Sequence, residues 1–330
     1  MVVLVAVVAC PGAYNLLVSA VLQHRYPPPG RIYSVNGYAM HLYCTGIAAP
    51  TVVVEAGLGD DFLHWQRVQP EVAKFTRICT YDRAGLGWSD DRPDPHDAKH
   101  FAQQLHALLH AAGENGQIVL VGASAGGFYA RQFASDLPQQ VAGIVFSDSS
   151  VPDQVLTPGG AWTGQDYRNV HHEAMSDLIN QSTGWARLRG RCNGDLEKGL
   201  ETWRDVARAD QCRPAYARSG LAEWDEFWHS AEEAAEAPCC GNIPLVIVSR
   251  DPAWRHPGMN AEDLAAQPIW NQLQDGLKAL SPQSRRIIAR GSGHHVNIDR
   301  PDVVIAAIRQ VVNDLRQHKP DPQVGTTVVQ

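Results

Sequence analysis

Hydrophobic positions along this chain follow two rhythms. Short runs rich in β-branched residues recur at 32–35, 39–44, 52–55, 77–82, 118–121, 143–147, 245–249 and 286–289, and each predicts a strand. From Thr51 onward these runs are continuously apolar rather than alternating, as expected of parallel strands covered on both faces of a sheet. Between them lie stretches with apolar residues at helical spacing, such as 98–112 and 127–135. The alternation predicts a doubly wound α/β domain around a mostly parallel, eight-stranded sheet. The first two runs are separated by Asn36-Gly37, a tight hairpin signal, so the sheet should begin with an antiparallel pair.

The rhythm stops between about 151 and 240. That stretch is rich in Trp, Ala, Glu and Arg at helical spacing, without a convincing strand, and reads as a helical cap inserted over the sheet. Its tryptophans, Trp162, Trp185, Trp203, Trp224 and Trp228, either wall a pocket or hold the cap together. The strand–helix pattern resumes at Ile243. The chain therefore divides into an apolar leader (1–25), a first core part (26–150), the cap (151–240), a second core part (241–318) and a loose tail (319–330). Tyr26-Pro27-Pro28-Pro29-Gly30 reads as a stiff spacer after the leader.

Residues 2–22 carry no charge, and about 20 apolar residues suffice to cross a bilayer as a helix. Pro11, Gly12 and Asn15 weaken the segment, and no Lys or Arg precedes it as in a secretory signal. Three readings stay open: a membrane anchor, a cleaved signal, or a buried element of a soluble protein. The first two place the protein in or beyond a membrane; the third allows the cytoplasm. Arg25 and Arg31 follow the segment and favour its carboxyl end on the cytoplasmic side.

Composition narrows the function classes. Hydrophobic residues make up 44% and charged residues 19%, enough apolar content for a packed core. The net charge of −7, with a densest basic stretch of only three arginines between Arg187 and Arg191, excludes a nucleic-acid partner. His96, His100, His106 and His110 include i,i+4 pairs, but no carboxylate or cysteine completes a metal set. Gly57-Leu58-Gly59 and Gly85-Leu86-Gly87 lack the third glycine of a dinucleotide fingerprint, so no cofactor is expected. The seven cysteines contain no CxxC pair and are either buried thiols or, in an exported domain, disulfides.

The chemistry centres on Gly122-Ala123-Ser124-Ala125-Gly126, which matches GxSxG between a buried strand and a helix. A serine on that sharp turn is held in a strained backbone conformation, its hydroxyl exposed at a helix N-terminus. Serine is a poor nucleophile without a base, and Gly293-His294-His295, after the last predicted strand, supplies an imidazole. A carboxylate must hold that imidazole. Asp148, in Ser147-Asp148 after the sixth strand, and Asp251, in Ser249-Arg250-Asp251-Pro252 after the seventh, both reach the carboxyl edge of the sheet.

Four segments in order resemble the α/β-hydrolase superfamily, in its esterase, haloalkane dehalogenase and epoxide hydrolase branch. They are Val54-Glu55-Ala56-Gly57-Leu58-Gly59, Tyr81-Asp82-Arg83-Ala84-Gly85-Leu86-Gly87-Trp88-Ser89, the Ser124 turn, and Gly293-His294 ahead of Asp299-Arg300-Pro301. The resemblance selects His294 over His295, because the family's histidine follows a glycine and stands seven residues before the proline. It places the oxyanion hole at the backbone N–H groups of Leu58 and Ala125, although the family's usual His-Gly is here Ala56-Gly57. Asp251 holds the commonest family position for the acid, but its loop is short. A subset of haloalkane dehalogenases takes the acid from the position of Asp148, which is preferred here. The family's strand order makes the second and fourth strands neighbours, which implies a Cys44–Cys79 disulfide if the domain is exported. Dehalogenases and epoxide hydrolases carry an aspartate at the turn, whereas Ser124 implies an acyl-enzyme route on an ester or related acyl bond. The expected substrate is a small apolar acyl compound. Carbon–carbon bond hydrolysis, cofactor-free peroxidation and a catalytically silent ligand-binding role are the alternatives within the fold. The oligomeric state stays open.

Overall fold

The computed structural model describes residues 2–158, 160–161, 164–193, 200–317 and 325–329. All eight predicted strands are present: β1 (Arg31–Val35), β2 (Tyr38–Thr45), β3 (Thr51–Glu55), β4 (Ile78–Tyr81), β5 (Ile118–Ala123), β6 (Val141–Ser147), β7 (Leu245–Arg250) and β8 (Ser284–Ala289). A ninth, β9 (Thr326–Val329), completes one sheet in the order β1-β2-β4-β3-β5-β6-β7-β8-β9. β1 and β2 pair antiparallel through Asn36 and Gly37, both at positive φ as a tight hairpin requires. β2 runs antiparallel to β4, and from β4 to β9 the pairing is parallel.

The continuous apolar runs are explained by two cores, one on each face of the sheet. Val53, Leu120, Ile144 and Ile247 point one way, onto Leu105, Leu108 and Leu109 of helix Ala98–Ala112 and Phe133 of helix Gly126–Asp136. Their neighbours Val52, Val119, Val145 and Val246 point the other way, onto Val304, Ala307, Ile308 and Val311 of helix Pro301–Gln317. Every strand residue on β5 is buried, which only a doubly covered sheet allows. Helix Ala98–Ala112 starts where the Asp97 side chain accepts from His100 N and stops at left-handed Gly113.

Between β6 and β7 the described residues form helices and no strand, including Gly164–Ser182, Arg204–Asp210, Pro214–Asp225 and Phe227–Glu236. Trp162 lies outside the described residues. The Cys44 and Cys79 sulfurs are joined across the β2–β4 pair, where the two residues are direct partners in register. Cys192–Cys212 joins two cap segments, and the adjacent Cys239 and Cys240 are also paired.

One expectation needs correction. The tail beyond Lys319 is not loose throughout, because Thr326–Val329 pairs with β8 from Arg286 to Ala289. Four residues on an exposed sheet edge leave too weak a hydrophobic pattern to be read in advance. Among the described residues no helix is long and apolar enough to cross a membrane. Val2–Arg25 is one helix with Pro11 inside it, and a polar seam docks it on the cap. The Asn15 amide donates to Gln181 O and Cys212 O at 2.8 Å, while Arg187 donates to Asn15 Oδ1 and Ser19 Oγ at 2.7 and 2.9 Å. Asn15, which interrupts its apolarity, is one of the residues that attach it. Tyr14, Leu16, Leu17 and Val21 face outward and are exposed.

Candidate active site

Ser124 follows β5 with a φ of 49°, in the left-handed region that side chains avoid. The conformation is held because the chain around it is pressed too close for ordinary residues. A Cβ at Gly122 would lie 2.7 Å from Gly126 O, and one at Gly127 would lie 2.6 Å from Ser149 Cβ. The turn leads directly into helix Gly126–Asp136 and lifts the hydroxyl above the carboxyl edge of the sheet.

His294 sits after β8, and its Nε2 lies 2.9 Å from Ser124 Oγ. Its Nδ1 lies 2.6 Å from Asp148 Oδ2. Asp148 is fully buried at the end of β6, and it too is left-handed, with φ 44°. Its other oxygen, Oδ1, accepts from Trp270 Nε1 at 2.9 Å and from Arg250 N at 3.0 Å. Burial pushes the Asp148 carboxyl up, but the Arg250 guanidinium and the hydrogen bonds from His294 and Trp270 outweigh it and hold the group below its ordinary range. A charged carboxylate can only accept, so His294 carries its proton on Nδ1 and presents a bare Nε2 to the serine hydroxyl.

Asp251 is not part of this cluster. Its carboxylate accepts from Ala253 N at 2.9 Å and Gly291 N at 3.0 Å and pairs with Arg290 at 3.3 Å, closing the loops after β7 and β8. His295 lies beside His294, with ring centroids 5.3 Å apart, and contributes to the cavity wall.

Ala125 follows the serine in sequence and Leu58 lines the cavity over it, and among the described residues neither backbone N–H donates to a protein acceptor. The loop carrying Leu58 is fixed by a buried ion pair. Arg83 donates to Ala56 O and Gly57 O, and its Nε meets Glu223 of the cap helix Pro214–Asp225 at 2.8 Å. Glu223 in turn accepts from Gly59 N at 2.8 Å. The cap thus holds the loop from both sides. Beneath it, burial raises the Glu55 carboxyl to about 7, with Tyr81 donating to it at 2.7 Å.

A cavity of about 340 Å³ opens over Ser124, walled by Leu58, Trp224, Phe227, Trp270 and Arg250 among others. A second, of about 510 Å³, shares Arg250, His294 and His295 with it and runs outward past Trp254. Of the cap tryptophans among the described residues, only Trp224 lines the inner cavity. Trp203 packs edge-on against Phe62, Trp185 lies under Arg189, and Trp228 meets Trp224 and Phe227.

The sequence reading did not single out Trp270, Arg250 as a cavity residue, or the Arg83–Glu223 tie. Arg83 and Arg250 stood inside motifs already quoted. Nothing local marks Trp270 or Glu223, which reach the site only through tertiary packing.

A serine on a strand–helix turn, a histidine after the last core strand and a carboxylate from the sheet's carboxyl edge, in that chain order, define the α/β-hydrolase architecture. The sequence model of the alpha/beta hydrolase fold matches residues 50–301, and the chain belongs to this family. It is 24% identical over 283 residues to the uncharacterized protein YqjL of Bacillus subtilis, covering 85% of this chain and 91% of that one. It is 38% identical over 91 residues to the esterase YbfF of Escherichia coli, covering 28% of this chain and 30% of the esterase. Among solved structures, a putative ancestral haloalkane dehalogenase superposes with a TM-score of 0.65 at 19% identity, over 87% of this chain and 99% of that one.

Proposed function

We propose that this protein is a serine hydrolase that cleaves a carboxylic ester, or a related acyl bond, through an acyl-enzyme. One observation carries the reading: Ser124 Oγ lies 2.9 Å from His294 Nε2 while Asp148 Oδ2 lies 2.6 Å from the opposite ring nitrogen. Oγ attacks the scissile carbonyl carbon as Nε2 takes its proton. The carbonyl oxygen becomes an oxyanion facing the unpaired N–H groups of Leu58 and Ala125, a contact that typically lowers the barrier by roughly 3 kcal/mol per donor. Asp148 stabilises the imidazolium. Collapse returns the proton to the leaving alcohol, and water repeats the sequence to release the acid. The local match to an E. coli protein named as an esterase agrees with this assignment. Trp224, Phe227 and Leu58 supply an apolar wall for a small acyl or alcohol group. The Cys44–Cys79 and Cys192–Cys212 pairs favour an oxidising, exported location.

The test is hydrolysis of a chain-length series of p-nitrophenyl esters by the full chain and by Ser124→Ala. Turnover that disappears in the variant supports the reading, and the preferred acyl length sizes the cavity. Absence of turnover together with no fluorophosphonate labelling of Ser124 would replace it with silent ligand binding.

A further inference from the structure

The cavity wall contains a cation, Arg250, whose charge faces Asp148 but whose guanidinium donates to no protein acceptor among the described residues. Arg250 ends β7, and its side chain lies flat on Trp270, the guanidinium carbon 4.6 Å from the ring centroid. Its nearest counter-charge is Asp148, but the Nε–Oδ2 separation is 3.7 Å, too long for a hydrogen bond. Three other donors already occupy that carboxylate, His294 on Oδ2 and Trp270 and the Arg250 backbone N–H on Oδ1. Arg250 Nε is buried without a partner, and among the described residues no protein acceptor receives a hydrogen bond from the guanidinium. A guanidinium offers five donors in a planar fork that matches a carboxylate.

Arg250 borders both the inner and the outer cavity with part of its side chain exposed, so the guanidinium stands on the route to Ser124. The other charged groups on these walls are committed. Asp60 pairs with His64 at 3.4 Å, Asp263 accepts from Asn260 N at 2.8 Å, and Asp299 accepts from Gly293 N at 2.7 Å. His256 Nδ1 accepts from Gly258 N. Asp60 follows β3 while Arg250 ends β7, so the two lie on opposite sides of the Ser124 strand in the sheet order. The cavity is polarised, with its available cation on the β7 side.

We propose that Arg250 receives a carboxylate on the substrate, and that the preferred substrates are esters bearing a free carboxylate, such as half-esters of short dicarboxylic acids. The substrate class rests on the ester-hydrolase reading above; the anion site does not.

Two matched pairs test it on the full-length protein. The first sets mono(4-nitrophenyl) glutarate against 4-nitrophenyl butyrate, with the charge on the acyl side. The second sets 4-butyryloxybenzoate against phenyl butyrate, with the charge on the alcohol side. At least one anionic ester is expected to exceed its neutral match in kcat/KM by tenfold or more. In Arg250→Met that preference is expected to vanish, and in Arg250→Lys to survive in part. Because Arg250 also adjoins Asp148, the readout is the ratio within each pair and not the absolute rate. If Arg250→Met lowers both members equally, or if neither anionic ester is preferred, the proposal falls. A turnover-free measurement separates this proposal from the parent reading. Calorimetric titration of Ser124→Ala with glutarate is expected to saturate, and the Ser124→Ala/Arg250→Met double variant to show no binding. Glutarate binding that needs Arg250 without turnover of any ester would keep the anion site and overturn the ester reading. Ester turnover without that binding or preference would do the reverse.

Discussion

Replacing Asp148 by Asn removes one charge and almost no volume, and the surrounding donors dictate how the amide must sit. Oδ1 of Asp148 receives two N–H groups, from Trp270 and Arg250, so the amide oxygen takes that place and the NH2 turns towards His294. His294 Nδ1, 2.6 Å away, must then accept rather than donate. Its proton moves to Nε2, which faces Ser124 as a donor and can no longer take the hydroxyl proton. The variant should lose about 10⁴ in kcat, or about 5.5 kcal/mol of transition-state stabilisation, as expected for a wrong tautomer. Asp251→Asn is the matched control. It weakens the bonds from Ala253 N, Gly291 N and Arg290, so it should cost about 1–2 kcal/mol of stability. Its kcat should stay within about threefold, since no bond of Asp251 reaches the Ser124–His294 pair. The assay is steady-state hydrolysis of a p-nitrophenyl ester, with thermal melting to establish that both variants are folded. A folded Asp148→Asn protein that keeps more than about a tenth of its kcat would refute the reasoning. So would a 10⁴-fold loss in Asp251→Asn.

Three further outcomes follow from buried charge and from the cysteines. Glu223→Gln leaves the Arg83 guanidinium buried without its counter-charge and should destabilise the fold by about 3–5 kcal/mol in urea unfolding; a cost under about 1 kcal/mol would mean the tie between cap and loop is unimportant. Glu55 is raised from 4.5 to about 7 by burial, so the folded state binds its proton more tightly than the unfolded chain does. Its contribution to stability is therefore full below pH 4.5 and is lost as pH rises towards 7, by about 3 kcal/mol in all; Glu55→Gln should abolish that slope in pH-dependent unfolding, and an unchanged slope would assign it elsewhere. Thiol titration of unreduced, denatured protein should find one reactive group per chain, Cys10, and seven after reduction; a count above one without reductant would break at least one of the three pairs.

What the sequence determined by itself is the part of the protein set by local burial. A parallel strand covered on both faces must be apolar at every position, so β3, β5, β6 and β7 stand out as unbroken runs without any partner being known. The Ser124 turn is equally local, because three glycines and a serine within six residues encode both the strain and the close approach that sustain it. His294 was singled out over His295 by the family resemblance, through the glycine before it and the proline seven residues on. β9 was not, since four half-polar residues on an edge draw most of their order from β8 rather than from their own pattern.

The carboxylate that faces His294 was decided only by the tertiary structure. β6 and β7 are adjacent and in register at Ser147 and Val248, so Asp148 and Asp251 leave the same edge a strand apart, and their sequences do not distinguish them. The left-handed turn at Asp148 and the donors that converge on it, from β7, from helix Ala261–Gly276 and from His294, direct one carboxylate inward. Gly291, Ala253 and Arg290 hold the other in its loop. The leader shows the same division. Its apolarity is plain in the sequence, but the docking of its polar seam depends on where Asn15 and Ser19 find partners, more than 160 residues away in the cap. Hydrophobic pattern is a property of consecutive residues, whereas convergence of polar groups depends on which distant strands and helices the fold sets side by side.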